Sequence, residues 1–184
     1  MQKTNKNWTT KMLVEGAVCI ALALILRTVK LYQLPNGGSI TPGKMIPLII
    51  FALRYGPVKG FVVGAVYGVM SIILGGSVYH PVQAILDYPL AYGLLGLAGL
   101  YKDEFEKTNS IKTILLGSLV GILGRFVCHV LSGVIFFKEF TPAGMNSWVY
   151  SITYNASFLS VDFAVTVFVI FLLRKFLTRD LQKL

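Results

Sequence analysis

Long apolar runs, separated only by short polar or Gly/Pro-rich joints, constrain this chain more than any motif in it. They occupy about residues 10–31, 44–54, 58–74, 81–101, 111–137 and 147–174. Several approach the ~20 residues that span a bilayer. With 55% hydrophobic and 14% charged residues among 184, and a mean hydropathy of +0.69, no stretch is polar enough to fold alone as a soluble domain. The expectation is an all-α integral membrane bundle of six helices, forming one transmembrane domain over 1–184, with helix 2 short. The joints carry breaker chemistry: Pro35, Asn36-Gly37-Gly38 and Pro42 in a loop over 32–43, then Pro57, then Gly75-Gly76-Ser77. Residues 102–112 read as a mixed-charge connection. The first run is too long for a cleavable leader, and Arg27 and Lys30 follow it without a small-residue cleavage pattern. Cys19 and Cys128 lie inside apolar runs, where a thiol is a small packing residue, so no disulfide framework is expected.

Six spans alternate sides, which lets the seventeen lysines and arginines test the topology. A cytoplasmic N-terminus puts Lys3, Lys6, Lys11, Arg54, Lys59, Lys102, Lys107, Lys112, Arg174, Lys175, Arg179 and Lys183 on the inner side. Only Arg27, Lys30, Lys44 and Lys138 fall outside, with Arg125 within a span. The positive-inside rule therefore places both termini in the cytoplasm and the 32–43 loop outside. The net charge of +9 is accounted for by these flanking residues, and no nucleic-acid partner is expected.

Polar residues inside the apolar runs are the functional signal. Arg125, His129, Gly133 and Phe137 recur every fourth residue and share one face of helix 5, with Ser132 beside them. Intramembrane ionisable groups are costly in lipid and face a cavity or a partner instead. Helix 6 opens with Trp148, Tyr150, Tyr154 and Asn155, and helix 4 carries Asp87 and Tyr88 after an apolar Ala84-Ile85. Helical rise puts Asp87 at ~9 Å, His129 and Asn155 at ~12 Å and Tyr150 at ~5 Å below the outer surface, one slab of the outer half. Arg125 and Asp162 fall deeper, at ~18 and ~22 Å, so Arg125 either pairs with Asp162 or reaches a ligand.

A desolvated carboxylate needs a partner. Asp87 thus pairs with Arg125 or His129, or awaits a cationic or amine-bearing ligand. The aromatics Tyr88, Tyr92, Phe137, Tyr150 and Tyr154 offer π faces for a flat heterocycle or a cation, while Trp148 and Tyr101 suit the interfacial belt. Two histidines, with Cys128 and His129 pointing about 100° apart on a helix, make a poor metal site, and neither metal nor cofactor is expected. Ser132, His129 and Asp87 make an intramembrane hydrolase conceivable, but no nucleophile-elbow sequence is present, so binding without catalysis is the expectation. Small-residue stripes at Ala17/Ala21, Gly60/Gly64/Gly68 and Gly117/Gly121 permit close helix approach, either within the bundle or with another subunit.

Five pieces together resemble a known family: LPNGGS at 34–39, PLIIFALRYG at 47–56, HPVQ at 80–83 with Asp87-Tyr88, Gly124-Arg125 to His129 with Ser132-Gly133, and YSITYN at 150–155. The chain is similar over nearly all its length to the thiamine-specific substrate-binding subunits (S-components) of energy-coupling factor transporters. The resemblance implies a subunit that binds thiamine with high affinity from outside. It would deliver it by docking on a transmembrane coupling subunit driven by two cytoplasmic ATPase subunits. It further implies that Asp87 faces the aminopyrimidine with Tyr88 beside it, and that Arg125, His129, Gly133 and Phe137 form the pocket face of helix 5. Tyr150 and Asn155 would bind from helix 6, the 32–43 loop would be a lid, and Ala17 and Ala21 would meet the coupling subunit. Phe137 stands where a tryptophan is expected, and the lid holds Tyr32 but no tryptophan. A related heterocycle such as hydroxymethylpyrimidine or another vitamin is the alternative ligand. The chain has no Gly-x-x-x-x-Gly-Lys-Ser/Thr phosphate loop, so energy would come from the ATPases.

Overall fold

The computed structural model describes residues 8–34, 38–41 and 43–179. Lys3, Lys6 and Lys183, the turn residues Pro35, Asn36, Gly37 and Pro42, and the side chain of Arg179 lie outside the described residues. Six helices form the bundle: α1 (Thr10–Leu26), α2 (Ile46–Tyr55), α3 (Pro57–Ile73), α4 (Pro81–Thr108), α5 (Ile111–Phe136) and α6 (Ser147–Arg179). Between α1 and α2 two short strands, β1 (Tyr32–Gln33) and β2 (Ser39–Ile40), pair antiparallel with Tyr32 opposite Ile40.

Helices α4, α5 and α6 are long and apolar enough to cross a membrane, and α2 and α3 are shorter apolar helices. Large apolar side chains stand exposed along α1 (Leu13, Val14, Val18, Leu22, Ile25) and along α6 (Phe168, Leu172, Phe176). Such contiguous apolar surface is what lipid solvates. Helix α2 is the opposite case. Ile46, Leu48, Ile49, Phe51, Ala52 and Leu53 are all buried, so this helix is apolar all round because neighbours enclose it.

The ends of the helices differ from the sequence expectation for identifiable reasons. Thr9 caps α1 by accepting from the Met12 N–H at 3.2 Å. The helix stops at Leu26 rather than near 31, and Arg27 turns away to serve α3. Its Nη1 donates to the Ser71 carbonyl at 3.0 Å and its Nη2 to that of Leu74 at 3.4 Å. A guanidinium thereby meets the carbonyls left open where α3 ends. The stretch expected as a connection after 101 instead continues α4 as helix to Thr108. Phe105 anchors it, fully buried, and Lys102 pairs with Glu106 one turn on at 3.2 Å. Asn109, in the left-handed conformation at φ 46°, ends it, and the Ser110 hydroxyl caps α5.

Helix α4 widens to a π turn over Leu86–Leu90 and tightens to 3-10 geometry over Leu94–Tyr101. Pro89 sits in the wide turn. It has no N–H to donate, and a regular α turn would drive its ring into the carbonyl behind. Glycines bring α3 onto this helix. A Cβ on Gly64 would strike the Tyr92 carbonyl, and one on Gly68 would meet the Tyr88–Pro89 backbone. Gly117 and Gly121 do the same for α5 against Ala98 and Leu95. Two of the three small-residue stripes therefore pack the bundle internally, while Ala17 and Ala21 remain exposed on α1.

Candidate functional site

Beneath the strand pair lies a cavity of about 270 Å³, lined from the end of α1, the β1–β2 segment, α3, α4, α5 and α6. All eight residues expected to bind substrate line it: Asp87, Tyr88, Arg125, His129, Gly133, Phe137, Tyr150 and Asn155.

Its centre is the Asp87 carboxylate, placed on the π turn of α4 and facing α5. Oδ1 lies 2.8 Å from His129 Nδ1, and Oδ2 accepts from Ser132 Oγ and Gln83 Nε2, each at 2.7 Å. Arg125 Nε donates to His129 Nε2 at 3.1 Å. An arginine has only protons to give, so Nε2 is the accepting nitrogen and the ring proton of a neutral imidazole sits on Nδ1, directed at Asp87. Arg125 is in turn held by Tyr92: Nη2 donates to its hydroxyl at 3.2 Å, and the guanidinium lies 4.4 Å from the ring centroid. Tyr67 packs edge-on to that ring at 4.6 Å. The result is a chain from aromatic support through cation and imidazole to carboxylate.

Helix α6 closes the far side. Asn155 Nδ2 donates to the Ser151 carbonyl at 2.9 Å and reaches the His129 carbonyl at 3.4 Å. Ser151 Oγ donates to the Val130 carbonyl at 2.9 Å, in the notch that Gly133 leaves open on α5. A side chain at 133 would collide with that hydroxyl, which is why glycine occupies this step of the four-residue repeat. The Tyr154 hydroxyl accepts from the Gly38 N–H at 2.8 Å and ties the strand pair down over the cavity. Phe137 caps α5 and meets Tyr79 edge-on at 5.3 Å, so the mouth is aromatic on two sides.

Arg125 does not pair with Asp162, one of the two roles expected for it. Asp162, 1% exposed, lies 3.7 Å from Lys44 and accepts from the Thr41 N–H at 3.2 Å. Lys44 is buried as well, at 6% exposure. Arg125 turns to His129 and Tyr92 instead. The hydrolase alternative fails on geometry, because Ser132 donates to Asp87 and not to His129, whose second nitrogen is taken by Arg125. Among the described residues no cluster could hold a metal ion.

A family model described as "Thiamine transporter protein (Thia_YuaJ)" matches residues 13–182. The chain belongs to that family. It is 34% identical over 171 residues to "Thiamine transporter ThiT" of Bacillus subtilis (strain 168), covering 88% of each chain. It is 31% identical over 170 residues to "Thiamine transporter ThiT" of Lacticaseibacillus paracasei, covering 86% of this chain and 84% of the relative. The fold matches a solved structure of ThiT from Listeria monocytogenes with a TM-score of 0.77 at 24% identity, over 90% of this chain and 93% of that one. The bundle is therefore a multi-pass membrane protein of a thiamine transporter family, whose named relatives are thiamine transporters.

Three features of the site escaped the sequence reading. Gln83 carries no role in the sequence beyond its place in HPVQ, although Gln and Asp four apart on a helix are a recognisable hydrogen-bonding pair. Arg27 carried no signal beyond its charge. Lys44 is assigned only to the outer side of the membrane, and nothing local announces that a carboxylate on α6 draws it inward.

Proposed function

We propose that this chain is the substrate-binding subunit, or S-component, of an energy-coupling factor importer. It captures thiamine from outside in the cavity around Asp87. The observation that carries this reading is the state of the Asp87 carboxylate. It is held by three donors and lines a cavity that Tyr88, Phe137 and Tyr150 also line. The aminopyrimidine of thiamine would give its exocyclic amine to Asp87, and the thiazolium cation would lie against aromatic faces. His129, Arg125 and Asn155 fix the walls of this pocket, and Gly133 lets Ser151 and Asn155 of α6 close against α5 beside it. The strand pair acts as the lid.

The delivery step follows from α1. Ala17 and Ala21 stand exposed on an apolar face flanked by Leu13, Val14 and Val18. Small side chains in such a face let a second membrane helix approach closely. We assign this face to the transmembrane coupling subunit, which two cytoplasmic ATPases would drive, with both termini of this chain on their side of the membrane.

Calorimetric titration of the purified protein with thiamine tests the reading. Wild type should bind, and Asp87→Asn, which keeps the shape and removes the charge, should weaken binding by about tenfold or more. Wild-type affinity in a folded Asp87→Asn protein would refute the role given to Asp87.

A further inference from the structure

Gln83 is not among the groups that a ligand in this cavity would be expected to touch first, yet it is built into the site more tightly than several that are. It lies on the first turns of α4, 2% exposed, one helical turn before Asp87. Its carboxamide is used at both ends. Oε1 accepts from the Tyr79 N–H at 3.0 Å, while Nε2 donates to Asp87 Oδ2 at 2.7 Å and reaches the Ser77 carbonyl at 3.5 Å. The backbone N–H of Tyr79 can only donate, so the atom facing it must be the amide oxygen. That leaves the amide nitrogen, and hence a donor, directed at Asp87. The segment joining α3 to α4 thus decides which way the carboxamide points.

The consequence lies in the lone pairs of Asp87. A carboxylate offers about four acceptor positions, two on each oxygen. Gln83 and Ser132 take both positions on Oδ2, and His129 takes one on Oδ1. Among the described residues one acceptor position remains unfilled, and it is on Oδ1. We propose that Gln83 is a positioning residue for ligand selection. Locked by the Tyr79 N–H, it saturates Oδ2 together with Ser132, so that Asp87 presents a single open acceptor to a donor group of the ligand. This rests on the reading of Asp87 as the group that meets the aminopyrimidine amine. It adds a determinant for distinguishing an amine from an oxygen at that ring position.

The test compares thiamine with oxythiamine, which carries an oxygen where thiamine has the exocyclic amine, by calorimetry on the purified full chain. Wild type should prefer thiamine strongly. Gln83→Met should weaken thiamine by about tenfold, the scale of one lost hydrogen bond to a charged group, and oxythiamine much less, so that the preference collapses. In an Asp87→Asn background the same Gln83 change should have no further effect on thiamine, because it acts through that carboxylate. Equal weakening of both ligands, unchanged thiamine affinity, or additivity with Asp87→Asn would each overturn the proposal. Gln83→Glu keeps the shape if the methionine variant fails to fold. It sets a second carboxylate against Oδ2, and its thiamine affinity should rise as pH falls and one proton is shared, whereas a pH profile parallel to wild type overturns the proposal. If wild type itself does not bind thiamine, the functional reading fails and this inference fails with it. If wild type binds and Asp87→Asn weakens it, the Gln83 results judge this inference alone.

Discussion

The buried pair Lys44–Asp162 should behave as a unit, and breaking it from one side should be worse than removing it. The side chains are 7% and 1% exposed, and they join the root of the strand pair to the middle of α6. Lys44→Met leaves a buried carboxylate with the Thr41 N–H as its hydrogen-bond donor. Stranding a buried charge costs about 3–5 kcal/mol. The 3.7 Å separation is an ion pair without a close hydrogen bond, so the lower end applies, about 3 kcal/mol. Asp162→Asn strands the ammonium in the same way and should cost a similar amount. The double variant Lys44→Met, Asp162→Asn removes both charges and keeps an acceptor for Thr41, and it should lose no more than about 1 kcal/mol.

Thermal unfolding in one detergent reads this directly. For a chain of this length each kcal/mol moves the midpoint by ~2–4 °C, so the singles should fall by ~6–12 °C and the double by a few degrees at most. The sign of the coupling is the informative quantity, since contacting residues depart from additivity and independent ones do not. A double variant whose loss equals the sum of the singles would show that the two charges do not sense each other. The account of the strand-pair anchor would then be wrong.

Two further predictions concern the frame and the lid. Gly64→Ala places a methyl against the Tyr92 carbonyl, and backbone cannot yield as a side chain can, so α3 and α4 must part. A loss of about 1–3 kcal/mol by thermal unfolding is expected, with weaker thiamine binding as Tyr92 releases Arg125, and an unchanged midpoint would show that the helices are not so close. Hydrogen exchange at residues 31–34 and 38–41 should slow when thiamine is added, because the Leu31, Leu34 and Gly38 N–H groups are the bonds that hold the strand pair over the cavity. Protection that is the same with and without thiamine would remove the lid role.

Much of this molecule was legible because lipid imposes simple rules. Apolar length marks the spans, and a repeat of four in α5 marks the face that cannot meet lipid. Arg125, His129, Gly133 and Phe137 could be placed together from spacing alone, and they line one cavity. What was not legible depends on which of several partners wins. Depth put Arg125 level with Asp162, but depth is one coordinate, and Tyr92 and His129 draw the guanidinium to the α4 side of the cavity. Charge density hid the end of α4, where one buried Phe105 outweighs six charged or polar neighbours in Lys102–Thr108. The strand pair was hidden for a similar reason: its strands are two residues long, and their partner, Tyr154, lies far along the chain.

These choices divide the polar interior into two circuits with different duties. One runs from Tyr92 through Arg125 and His129 to Asp87, and is completed by Ser132 and Gln83. It carries one positive and one negative charge across a neutral imidazole, so a bound thiazolium adds a charge that the aromatic walls must meet. The other joins Asp162, Lys44 and Thr41 beneath the strand pair and neutralises itself without ligand. Because Lys44 and Asp162 pair without ligand, the lid can be anchored whether or not substrate is present. The first leaves Asp87 with an acceptor position on Oδ1 that no described residue fills, and that is the physical difference between a residue that only holds the fold and one that we propose meets a ligand.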